Sequence, residues 1–234
     1  MFDFALNNAW LIPLLPALAF GIITLFTKKM IKLSASISIG AILISFVLSV
    51  ILGIGLIGQG DTFLEHPYKA VVTWFSMPGL SIEVGTLIDN ISVMMLLVVT
   101  FITSLVQIYS LGYMRGDPGL ARFFAYVSLF AASMLGLVIA PNLLIMFVFW
   151  ELVGLCSYLL IGFWYGKISA SAAAKKAFIT CRAGDFGLLL GISYHGNEYS
   201  FNFLPPILTM IVLAILGAIL ARHLLMKMKI RTEG

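Results

Sequence analysis

Glu151 stands near the middle of an unbroken apolar run, residues 142–165, NLLIMFVFWELVGLCSYLLIGFWY. A helix needs about 20 residues, at about 1.5 Å each, to cross a bilayer, and this run suffices. A charge at that depth costs roughly 2.5–3.5 kcal/mol. Such a group usually faces protein or water and serves ion or proton transfer. A second set follows at Lys175, Lys176, Arg182 and Asp185 in AAAKKAFITCRAGDFGLLLG. Lys175 and Arg182, seven apart, share one side of a helix, and Asp185 lies one turn beyond Arg182. The i, i+3 spacing predicts an ion pair that lowers the cost of both charges. An acid with a movable cation inside a membrane is the minimal unit of a proton switch. The candidate pathway residues are therefore Glu151, Lys175, Lys176, Arg182 and Asp185.

Each of these residues has a plainer alternative. Glu151 protonated and hydrogen-bonded to a neighbouring helix would be structural. Arg182 and Asp185 could serve packing, or contact another subunit. Lys175 and Lys176 could snorkel to the interface from the start of their helix. On the fifth span Glu151, Gly154, Leu155, Tyr158 and Gly162 share a face, and small residues there let another backbone approach. That predicts Glu151 pointing into the bundle. Gly184, Gly187 and Gly191 offer a second close-packing face on the sixth.

The elements that must position these groups are membrane helices. The chain has 234 residues, 61% hydrophobic and 10% charged, with mean hydropathy +1.08. This composition predicts an all-α polytopic membrane protein. Seven spans are expected, at 10–26, 34–57, 87–113, 122–140, 142–165, 172–192 and 205–226. Pro13 and Pro16 predict a kink at the outer end of the first. The net charge of +4 is spread in short clusters between spans, a topology signal and not a nucleic-acid patch.

Loops are assigned alternately, with the N-terminus outside. Lys28, Lys29, Lys32, Arg115, Arg122, Lys167, Lys175, Lys176, Arg222, Lys227, Lys229 and Arg231 then fall inside or at inner helix ends. Lys69 falls outside. The C-terminus is expected inside, with its basic tail. No cleavable signal peptide is expected, because positives follow the first apolar stretch instead of preceding it. The loop 58–86 alternates apolar and polar residues around Pro78-Gly79 and predicts a small extracytoplasmic β-hairpin over the helix ends.

Other chemistry finds little footing. Cys156 and Cys181 lie in apolar runs 25 positions apart, and neither a disulfide nor a metal site is expected. His66, His195 and His223 have no second ligand nearby. No phosphate loop, haem pattern or iron–sulfur cysteine set occurs, so no cofactor is expected on this chain.

The segments 149–165 (FWELVGLCSYLLIGFWY) and 172–187 (AAAKKAFITCRAGDFG), with QIYSLGYM at 107–114 and LIPLLP at 11–16, closely resemble a known family. It is the antiporter-like chain L, or subunit 5, of NADH:quinone oxidoreductase (respiratory complex I). The resemblance covers roughly 8–192. It extends less closely to Mrp-type cation/proton antiporters and membrane-bound hydrogenase subunits. It implies a proton-translocating subunit without its own cofactor, with NADH, flavin, iron–sulfur clusters and quinone on other subunits. The expected partners are those membrane subunits and the lipid bilayer, with no nucleic acid, in a bacterial inner membrane. It also implies that Glu151 is a key proton-pathway carboxylate and Asp185 an important polar residue.

Departures from the family pattern are Cys181, where the family carries Asn, and the short tail. The expected division is 1–192, the N-terminal half of an antiporter-like subunit, and 193–234, a divergent tail with one terminal helix. The family's broken seventh helix with its lysine is not found there, so a truncated, non-pumping remnant is a further alternative.

Overall fold

The computed structural model describes residues 2–27, 30–59, 67–77 and 80–195. Seven α-helices and one hairpin occur among them. The helices are α1 (Phe2–Asn7), α2 (Leu11–Ile22), α3 (Ile31–Gln59), α4 (Asn90–Tyr113), α5 (Leu120–Val138), α6 (Leu143–Ile161) and α7 (Ile168–His195). The strands are β1 (Tyr68–Met77) and β2 (Leu80–Ile88). Four helices, α3 to α6, are long and apolar enough to cross a membrane. The stretch Leu11–Thr27 is apolar but shorter. α7 is long, but Lys175, Lys176, Arg182 and Asp185 interrupt its apolar character. The expected span at 205–226 and the tail from 196 lie outside the described residues.

The first expected span differs in detail. The chain breaks at 8–10, before the prolines, and α2 ends in a π turn at Ile23–Thr27. Pro13 falls in the first turn of α2, where a missing N–H costs little. Pro16 is interior and leaves the Ile12 carbonyl without its usual N–H partner. Ser45 of α3 repairs this, its hydroxyl donating to Ile12 O at 2.8 Å. A proline in one helix and a serine in the next are thus one device, because lipid supplies no water to satisfy the carbonyl.

Residues up to Ile192, apart from 78–80, pack as one unit. The other unit, 78–80 with 193–234, lies almost wholly outside the described residues. At the centre stands α5, packed against α2, α3, α4 and α6. Its N-cap is Gly119, and small residues line its buried side: Ala125, Ser128, Ala131, Ala132 and Gly136. Small side chains let helices approach where no hydrophobic force drives them together. A Cβ on Gly136 would meet the Phe149 ring of α6 at 2.4 Å. Ser38 and Ser128 hydroxyls meet at 2.6 Å and pin α3 to α5. Further buried hydroxyls donate one turn back along their own helix: Ser49 to Ser45 O at 2.9 Å, Thr100 to Leu96 O at 2.6 Å, and Ser104 to Thr100 O at 2.7 Å.

Apolar residues gather in two clusters. One joins Ala5, Ile12, Ile42, Leu52, Ile88, Leu96 and Leu135. The other joins Ala35, Met114, Leu120, Phe124 and Phe163 near the opposite end of α5.

The expected hairpin is present, with longer strands than the sequence pattern marks; its turn residues 78 and 79 are outside the described set. Gly85 is required by close pairing, since a Cβ there would sit 2.0 Å from Ala70 O. Hydrogen bonds fasten the hairpin to helix ends. Tyr68 donates to Asn7 Oδ1 at 2.8 Å, Leu87 N–H to Ile139 O at 2.9 Å, and Asn142 Nδ2 to Glu83 O at 2.7 Å. Asn142 also caps α6, its Oδ1 accepting from Ile145 N at 2.9 Å.

Candidate proton-carrier site

Two antiparallel helices build the site. α6 begins at the Asn142 cap and stops at Gly162, and a short turn reverses the chain into α7. Along one face of α6, Phe149, Cys156 and Phe163 recur every seven residues and look toward α5: Phe149 covers Gly136, Cys156 lies 3.8 Å from Ser133 Oγ, and the Phe163 ring stacks edge-on to Phe123. Trp150, Glu151, Tyr158 and Gly162 are left to meet α7.

The α6–α7 contacts form a ladder. A Cβ on Gly162 would touch Ala174 Cβ at 3.2 Å, so the helices cross closely there. Above it, the Tyr158 and Phe178 rings are 5.4 Å apart. Next, Arg182 forms an ion pair with Glu151. Last, Trp150 Nε1 donates to Asp185 Oδ1 at 2.8 Å. One register satisfies all four rungs.

Arg182 is the shared cation. It pairs with Glu151 Oε2, lies 3.5 Å from Asp185 Oδ2, and stacks over the Phe178 ring at 4.5 Å. Asp185 is 4% exposed and held from the other side by the Trp150 indole. Glu151 is half-buried, and its second oxygen, Oε1, is enclosed without a hydrogen-bond partner. Two carboxylates facing one guanidinium leave one negative charge in excess when all are ionised. The cluster can therefore take up one proton and become neutral, which is the favoured condition away from water.

The sequence candidates divide. Glu151, Arg182 and Asp185 come together. Lys175 is half-buried and Lys176 exposed, and neither makes an ion pair among the described residues. Lys175 follows Ala174, which sits opposite Gly162. Glu151 is eleven residues from that level, about 16 Å along the helix. Both lysines thus lie toward the end of α6, a position that suits snorkelling. Of the expected small-residue contacts, Gly162 makes one. A Cβ on Gly154, Gly184 or Gly187 would meet no neighbouring element within 4 Å among the described residues, and the side of Gly191 is outside them.

Two site residues escaped the sequence reading, Trp150 and Phe178. Each carried a signal. An indole N–H inside an apolar run needs an acceptor, and an aromatic four residues before an arginine lies beneath it on a helix.

A family model described as NADH-ubiquinone oxidoreductase (complex I), chain 5 N-terminus, matches residues 74–124. A second, described as NADH:quinone oxidoreductase/Mrp antiporter, TM, matches 140–228, which contains α6 and α7 whole. The chain belongs to the chain 5 (chain L) family of antiporter-like membrane subunits.

Among its relatives in that family are NAD(P)H-quinone oxidoreductase subunit 5, chloroplastic, of Zygnema circumcarinatum, 49% identical over 78% of this chain and 26% of its own length. NAD(P)H-quinone oxidoreductase chain 5 of Synechocystis is 48% identical over 83% of this chain and 29% of its own. F(420)H(2) dehydrogenase subunit L of Methanosarcina mazei is 49% identical over 79% and 26%. The chain spans little more than a quarter of the length of these relatives. The chain 5 family assignment and the apolar helices together make it an integral membrane protein.

Proposed function

We propose that the chain forms the N-terminal part of a proton-translocating membrane subunit of a quinone oxidoreductase, with Glu151 as its proton carrier. One observation carries this reading: Arg182 is shared between a carboxylate with a free oxygen, Glu151, and a carboxylate fixed by an indole, Asp185. With Glu151 ionised, it holds Arg182. A proton placed on the enclosed, unpartnered Oε1 neutralises the carboxylate and weakens that pair. Arg182 then rests on Asp185 and the Phe178 ring. Loss of the proton restores the first arrangement. Asp185 stays in place throughout because Trp150 anchors it. Lys175, nearer the end of the helices, serves as the next cation along the route.

The orientation proposed has the N-terminus outside and seven crossings. Its support is the gathering of Arg122 and Lys167 with Trp164 and Tyr165 at one end of the bundle, away from the hairpin. The relatives' names suggest that NAD(P)H or F(420)H(2) oxidation, on other subunits, supplies the energy. Those subunits would also carry the redox groups. A bacterial inner membrane is the proposed location.

The test is proton flux in vesicles carrying the native complex with Glu151→Gln. Flux should fall while assembly and electron transfer from donor to quinone persist. Unaltered flux in an assembled complex would refute the proposal. A second reading, cation/proton exchange without redox chemistry, is favoured by the Mrp antiporter in the description of the second family match. Sodium-dependent pH change in vesicles without any electron donor would select it.

A further inference from the structure

The proton-carrier site leaves a cavity at the opposite end of α6 unused. Its volume is about 510 Å³, and its walls include Phe20, Ile23 and Thr24 at the end of α2, Arg122 and Tyr126 on α5, and Tyr165 beyond α6. Arg122 is the charged group on this wall. Its guanidinium lies 5.0 Å from the Phe163 ring and 5.0 Å from the Tyr165 ring, and Nη2 donates to Phe163 O at 3.3 Å. Nε is enclosed and has no partner. No carboxylate among the described residues comes within ion-pairing distance of it. The nearest acid in sequence, Asp117, is already engaged, accepting from Gly119 N at 2.6 Å and Trp164 Nε1 at 3.0 Å.

A cation on the wall of an open cavity, with no carboxylate among the described residues in ion-pairing distance and its one nearby acid, Asp117, already engaged by Gly119 and Trp164, calls for an anion. Its surroundings say which kind. The cavity lies where α2 ends and α5 begins, at the level of the Trp164 and Tyr165 rings, as interfacial aromatics do. Phe20 and Ile23 give it an apolar wall, and Leu25 and Phe26 on the adjoining turn are 75% and 78% exposed. The occupant should be anionic at one end and apolar at the other. Guanidinium suits phosphate oxygens through its planar donor pair, and basic pockets between membrane helices take lipid headgroups.

We propose that this cavity binds the phosphodiester headgroup of an anionic phospholipid, with Arg122 as the phosphate ligand and the acyl chains along the α2 side. The inference needs the chain to be a membrane protein but is independent of the proton-carrier reading.

The experiment is native mass spectrometry of the full chain, in its complex, released from nanodiscs of phosphatidylglycerol or of phosphatidylcholine. The unaltered protein should retain one additional phosphatidylglycerol and hold phosphatidylcholine about tenfold less well, because the choline ammonium beside the same phosphate cancels the headgroup's net charge and repels the Arg122 guanidinium. Arg122→Gln should lose that lipid. Thr24→Phe, which fills the cavity and keeps the cation, should lose it too, and decides the matter if Arg122→Gln misfolds. Arg115→Gln should retain it. Excess inorganic phosphate should not displace it. Equal retention of both lipids, retention by both cavity variants, displacement by phosphate alone, or no retained lipid on the unaltered chain because a protein segment fills the cavity would each overturn the proposal.

Discussion

Replacing Trp150 with Phe keeps the ring and deletes one hydrogen bond, from Nε1 to Asp185 Oδ1 at 2.8 Å. The acceptor is a carboxylate only 4% exposed, and its other partner, Arg182, is 3.5 Å away, long for a strong bond. A hydrogen bond to a charged group contributes about 1.5–3 kcal/mol, and the lower part of that range applies if Arg182 moves in to compensate. The loss falls on one helix pair, because Asp185 is the last rung of the α6–α7 ladder. A double-mutant cycle isolates it: Trp150→Phe, Asp185→Ala and both together, in mixed-micelle denaturation followed by circular dichroism. A coupling of about 1.5–3 kcal/mol is expected. Coupling below about 0.5 kcal/mol would show that the indole does not hold Asp185, and the fixed half of the proposed switch would be lost.

Three further outcomes follow from the packing and the loops. Gly136→Ala should destabilise by about 1–3 kcal/mol, because its Cβ would strike the Phe149 ring, whereas Gly154→Ala should stay within about 0.5 kcal/mol; thermal midpoints compare them. Ser45→Ala should cost about 1–3 kcal/mol by leaving the Ile12 carbonyl unpaired next to Pro16, and a Pro16→Ala partner should recover part of it. Asp117 is held below its ordinary 3.8 by the Trp164 indole, then by the Gly119 N–H, with Arg122 adding a smaller effect. A lowered value in the fold means that its contribution is fully present above 3.8 and fades as pH falls through the lower folded value. Trp164 fluorescence should therefore change on acidification below about pH 4 in the unaltered chain and not in Asp117→Asn.

How much of this could be read from residues alone depends on range. Arg182–Asp185 is a contact within one turn, fixed by helix geometry, and the sequence spacing predicts it directly. The hairpin alternates with period two and is bounded by Pro78-Gly79, so its pattern is local as well. The choice of cation for Glu151 is not local. It depends on the register between α6 and α7, which the turn at 162–167 sets, and a shift of two turns would have brought Lys175 to the acid instead. The glycine faces illustrate the same limit. Gly154 and Gly162 lie on one side of α6, yet the close crossing is at Gly162 and the ladder leaves Gly154 uncovered. The break at 8–10 is marked only by the Asn7-Asn8 pair, just ahead of the expected span, and the π turn at Ile23–Thr27 has no comparable signal. Their positions follow from tertiary packing, including the Ser45 bond to Ile12.

Infrared difference spectroscopy of the native complex, recorded between resting and turning-over states, tests the central claim most directly. Glu151 should contribute a protonated-carboxyl band that appears and disappears with turnover, absent from Glu151→Gln and displaced in Arg182→Lys. A band that never changes, with Glu151 neutral in every state or ionised in every state, would contradict the account.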